Sequence, residues 1–97
     1  MTSRIHKTRV YSILATKTGI TVLVRNLYVL NRFLLYLDRE GIEYKVEESR
    51  KSQYKVRIDS DDRRTLLLAV LYINTAYFDF LAHLRGRERA GAVSRTV

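Results

Sequence analysis

The sequence predicts an α+β domain of order β-β-α-β-β-α, a four-stranded antiparallel sheet with two helices packed on one face. Three observations carry this expectation. Two β-branched runs flank a glycine turn, two short segments alternate strictly between apolar and polar residues, and an apolar segment of helical spacing follows each pair.

The first pair is "RVYSILATKTGITVLVRN", with strands over residues 10–15 and 20–24 and Gly19 supplying the turn conformation. The helix "NLYVLNRFLLYLDREG" follows, with Asn26 as N-cap, Leu27, Leu30, Phe33, Leu34 and Leu37 at helical spacing, and Gly41 as the stop. Next, "IEYKVEE" and "QYKVRID" alternate around the turn "SRKS" and place Tyr44, Val46, Tyr54, Val56 and Ile58 on one face. The last helix opens at "SDDRR", with Ser60 or Asp61 as its cap. Laying residues 20–26 over 54–60 matches strand, polar cap and apolar helix at an offset of 34 residues, a structural pseudo-repeat. Residues 1–85 form the domain, and "GRERAGAVSRTV" over 86–97 reads as a basic, mobile C-terminal tail.

The net charge of +8 sits at the two ends. Residues 1–25 carry five cations and no acid, residues 26–84 balance nine against nine, and the remainder adds four arginines against Glu88. Such a distribution favours polyanions: nucleic acid (DNA or RNA), an anionic membrane surface or an acidic protein. If Ile20, Val22 and Val24 point inward, the open sheet face shows Arg25 with Glu43, Lys45, Glu47, Lys55 and Arg57, and Arg9, Tyr11 and Ile13 accompany them. Cations beside an aromatic ring can track phosphates and stack a base. The candidate nucleic-acid-binding residues are therefore Arg9, Lys17, Arg25, Lys45, Arg50, Lys51, Lys55 and Arg57, with Arg50 and Lys51 at a hairpin tip.

Catalytic signatures are missing: there is no Gly-rich phosphate loop, no nucleophile elbow and no Cys–His pair. His83 follows Asp79 by one helical turn, which suits a surface pair; two ligands do not make a metal site. No enzyme, metal or cofactor is expected. Without cysteines or a visible signal peptide, the default compartment is the cytoplasm.

Over "LDREGIEYKVEESRKSQYKVRIDSDDRRTLL" the chain resembles the second half of LAGLIDADG-type homing endonuclease domains, and the element order over residues 9–85 is similar to that fold. The resemblance implies a curved sheet gripping a DNA groove through Lys45, Arg50, Lys51, Lys55 and Arg57. The family's signature helix, which brings its metal-binding acid, has no counterpart, so binding is implied and cleavage is not.

Both helices carry more apolar residues than a sheet can cover. In the last helix, a weak polar stripe (Asp61, Thr65, Leu68, Tyr72, Ala76, Asp79, His83) opposes Leu67, Val70, Leu71, Asn74, Tyr77, Phe78 and Leu81. Asp79 and the preceding strands argue against a membrane span. The surplus predicts a homodimer or another protein partner through Leu67, Val70, Leu71, Asn74 and Phe78, with the lone Asn74 fixing register or bonding its own backbone. The alternative function is a small accessory factor of viral or phage type that grips a partner protein with these helices while its charge is incidental.

Overall fold

The computed structural model describes the backbone of residues 3–7 and 10–96 and the side chains of residues 10–86. Its elements are β1 (Ser3–Lys7), β2 (Tyr11–Thr16), β3 (Gly19–Val24), α1 (Leu27–Glu40), β4 (Lys45–Arg50), β5 (Gln53–Asp59) and α2 (Arg63–Thr96). The α+β class and the β-β-α-β-β-α order hold over residues 11–96. The four strands β2-β3-β5-β4 form an antiparallel sheet, and β1 adds a fifth strand at the β2 edge. That strand escaped the sequence reading because "SRIHK" holds a single apolar residue; its pairing with β2 is a matter of backbone register, from Ser3 opposite Ala15 to Lys7 opposite Ser12.

Turn chemistry sets the register. Gly19 has φ +152°, and a Cβ there would lie 2.0 Å from the Ile58 carbonyl oxygen, so no other residue fits between β3 and β5. Across those central strands Ile20 faces Ile58, Val22 faces Val56 and Val24 faces Tyr54. This pairing puts an approximate two-fold between Val22 and Val56, which is the spatial form of the 34-residue offset. Each central strand then feeds a helix. Asn26 caps α1 by accepting from the Val29 amide at 3.1 Å, and Gly41 ends it in the left-handed region at φ 73°.

The cap of α2 is Asp62, not Ser60 or Asp61. Its carboxylate accepts from the amide of Thr65 at 3.2 Å and from the Thr65 hydroxyl at 2.7 Å, while Ser60 Oγ accepts from the Asp62 amide. These bonds hold the Asp62 carboxyl below its ordinary pKa. The helix then runs past residue 85, where the sequence reading ended it, through Thr96. At about 1.5 Å per residue it gives the molecule its 55 Å long axis.

The core lies between the sheet and the helices: Ile13, Val22, Val24, Val56 and Ile58 meet Val29, Phe33 and Leu37 of α1 and Ala69, Ile73 and Ala76 of α2. Tyr11 and Ile13 belong to it, both almost fully buried, which corrects their assignment to the open face. The reason is parity: β2 pairs Tyr11 with Val24 and Ile13 with Val22, so all four side chains share the helix side. At the β4 edge the helices give less cover, and Val46 is largely exposed.

The helices pack antiparallel through the stripe that looked solvent-facing in sequence. His83 stacks on Tyr28 at 4.7 Å, Asp79 pairs with Arg32 at 3.3 Å and accepts from the Tyr36 hydroxyl, and the Tyr72 hydroxyl donates to Glu40 at 3.1 Å. The expected Asp79–His83 pair is thus replaced by contacts to α1. Its partners Tyr28, Arg32, Tyr36 and Glu40 repeat every four residues, a spacing that makes one polar ridge on α1.

Candidate nucleic-acid interface

Among the described residues no helix packs on the other face of the sheet, although Ser12 on that side is buried. Alternation along each strand sends Leu14 and Thr16, Thr21 and Leu23, Lys55 and Arg57, and Lys45 and Glu47 to that side. A shallow, open hollow of about 810 Å³ lies there, lined by Leu14, Thr16, Thr21, Leu23, Arg25, Glu47, Ser49, Arg50, Gln53, Lys55 and Arg57. Four cations thus face one carboxylate.

Register orders these charges into rows. Lys45 stands directly opposite Arg57, then Thr21 and Leu14; Glu47 stands opposite Lys55, then Leu23 and Ser12. Like charges directly opposed on neighbouring strands cost stability, so Lys45 and Arg57 form a position where a bound anion would relieve repulsion. Arg57 is partly answered by Asp59 through a 3.2 Å bond from Nε. Glu47 beside Lys55 is an opposed pair and mutes that row. Arg25 reaches from the end of β3 to Ser12 Oγ at 3.3 Å, which holds its guanidinium over the floor of the hollow. An irregularity between Glu48 and Arg50 breaks the alternation of β4 and brings both Ser49 and Arg50 to the rim.

The structure unites some of the expected residues and separates others. Arg25, Arg50, Lys55 and Arg57 line one surface, and Lys45 stands at its edge. Lys51 is exposed in the β4–β5 turn beside Arg50, at the end of the sheet where Arg25 lies. Lys17 is exposed at the opposite end, in the β2–β3 turn next to the strand terminus that carries Asp59. It does not extend the cationic cluster. Arg9 lies outside the described residues. With Tyr11 buried, the open face has no aromatic ring among the described residues.

Tyr11 has a different task. Its hydroxyl donates to Oδ1 of Asn74, its ring meets Tyr77 edge-on at 5.6 Å, and burial together with Tyr77 raises its pKa. Asn74, expected at a protein interface or on its own backbone, therefore ties α2 to β2. Val70 also turns toward the core. Of the expected interface residues, Leu67 (62% exposed), Leu71 (55%) and Phe78 (65%) remain on the surface. No group of three or more metal-ligating side chains occurs among the described residues. By length and composition the 63–86 stretch of α2 could cross a membrane, with a mean hydropathy of 1.5, although Ala69, Ile73 and Ala76 are packed in the core.

No protein-family model matches the chain, and neither a curated protein nor a solved structure is significantly similar to it.

Proposed function

We propose that this domain is a small, non-enzymatic nucleic-acid-binding protein that holds phosphates on the open face of its sheet. The observation that carries the reading is the open face on which Arg25, Arg50, Lys55 and Arg57 line one surface with Glu47, while Asp59 partly answers Arg57. A shared surface lets several cations reach one polyanion at once, and a bound phosphate would also ease the opposed Lys45–Arg57 pair, which Asp59 answers only in part. The cationic ends of the chain add a longer-range attraction. Since no aromatic ring stands on this face among the described residues, the binding we propose rests on phosphate contacts and surface shape.

Mobility shifts with single- and double-stranded DNA and RNA test the proposal. The wild-type protein is expected to retain polynucleotide at low salt. Lys55→Glu combined with Arg57→Glu, both on the solvent side of β5, is expected to abolish retention while the circular dichroism spectrum stays unchanged. Wild-type protein that binds no polynucleotide at low salt would refute the reading.

A further inference from the structure

β4 closes the strand order at one edge of the sheet, with β5 on one side and no strand on the other among the described residues. It is exposed along its whole length, and its apolar residue Val46 is 41% exposed. The other edge strand, β1, lies across the sheet beyond β2. The outward N–H and C=O groups of β4 are thus a template for one further strand.

We infer that this strand is the β4 of a second copy, added antiparallel so that two five-stranded sheets run on as one. The charges of β4 select both the occupant and the register. A symmetric antiparallel pair sets one residue opposite itself and its two neighbours opposite each other. Centred on Lys45, Glu47, Glu48 or Arg50, the pair would oppose a charge to its own copy. Centred on Ser49, it would have to run through the irregularity between Glu48 and Arg50, where the regular ladder is lost. Centred on Val46, it joins the two exposed valines and sets Lys45 of each copy opposite Glu47 of the other. Charged side chains on an edge ordinarily discourage pairing, but in this one register they attract.

The same register relieves a conflict within the chain. Lys45 stands opposite Arg57 on the open face, like against like. Asp59 answers Arg57 at 3.2 Å, while among the described residues no carboxylate lies within ion-pair distance of Lys45. Glu47 of the second copy takes that place. A small hollow of about 100 Å³ between Lys45, Val46, Glu47 and Arg57 receives the incoming carboxylate. Across the seam the row then runs Arg57, Lys45, and Glu47 and Lys55 of the second copy. Only the segment before the irregularity can pair, so the ladder is short and the dimer concentration-dependent. Resting on the nucleic-acid reading, the pairing has a consequence: the two cationic faces become one surface that a single polynucleotide crosses.

Sedimentation across a hundredfold concentration series, without polynucleotide, tests the pairing. Wild-type protein is expected to dimerise. Lys45→Glu removes a like-charge pair from the chain's own ladder, so its fold is not at risk. It is expected to be monomeric, because two carboxylates then meet at each contact. Glu47→Lys is expected to be monomeric for the converse reason, with an unchanged circular dichroism spectrum, and Glu47→Gln, milder within the sheet, to weaken the dimer. An equimolar mixture of Lys45→Glu and Glu47→Lys restores opposite charges at both contacts. It is expected to form a heterodimer at least tenfold tighter than the self-association of either variant. A wild-type monomer throughout, a dimer indifferent to Lys45→Glu and Glu47→Gln, or folded variants that stay apart when mixed would each overturn the pairing. The expected dimers in a protein that retains no polynucleotide would uphold the pairing and sink the nucleic-acid reading alone.

Discussion

The Tyr11 hydroxyl and the Asn74 carboxamide are polar groups set at the packing surface between β2 and α2, each answering the other. Removing one partner leaves the other desolvated and without a mate, which costs about 1–3 kcal/mol. Asn74→Ala is therefore expected to lower the unfolding free energy by that amount in a urea titration. Asn74→Ala added to Tyr11→Phe should cost less than the sum of the two single changes. Strict additivity would show that the bond contributes nothing. Only half of this pair was legible in the sequence. A lone amide among apolar neighbours signals a specific bond, but nothing local says with what. Tyr11 looked like an open-face residue because "RVYSILA" is apolar at both parities; the β2–β3 register, set by Gly19 at the far end of the hairpin, decides which parity turns inward. The same holds for Asp79, whose partner at i+4 was visible while Arg32 and Tyr36, more than forty residues away, were not.

At the level of elements, local signals were sufficient wherever the cause was local. The β5 alternation, the Asn26 cap and the Gly41 stop all follow from residues within a few positions, and the structure places them accordingly, whereas β4 is exposed along its whole length and its alternation breaks between Glu48 and Arg50. The sequence reading takes Ser60 or Asp61 from "SDDRR" as the cap and passes over Asp62, to which Thr65 supplies two donors. Asp62→Ala should accordingly lower the Tm, while Asp61→Ala leaves it unchanged. The contribution of Asp62 has a definite pH sense. Its folded pKa is depressed, so the stabilisation is present above the ordinary carboxylate value of about 3.9 and is lost as pH falls through the folded value. The Tm difference between wild type and Asp62→Ala should therefore shrink on acidification; a difference that grew would contradict the capping role. Helical periodicity identified the amphipathic faces of α2 but could not rank them. A helix that touches both a sheet and another helix has two buried flanks, and a polar stripe is buried as readily as an apolar one when the neighbouring helix brings Arg32, Tyr36 and Glu40 to meet it.

For the whole molecule, the layering separates two surfaces that the sequence mixed together. Cations gather on the open side of the sheet, and the apolar surplus gathers on the far flank of α2. The net charge of +8 overstates the designed part of the interface, since Lys17 lies at the opposite end from Arg50 and Lys51, and Glu47 and Asp59 oppose two of the open-face cations. The central claim is that a defined set of side chains on the open face neutralises phosphates. It is tested most directly by the slope of log K against log salt for duplex binding. Engagement of Arg25, Arg50, Lys55 and Arg57 predicts a slope of roughly −4, at about −0.9 per phosphate neutralised. Lys55→Gln should reduce its magnitude by about one, whereas Lys17→Gln should leave it unchanged. A slope that changes equally with either substitution, or with neither, would contradict the assignment of binding to the open sheet face.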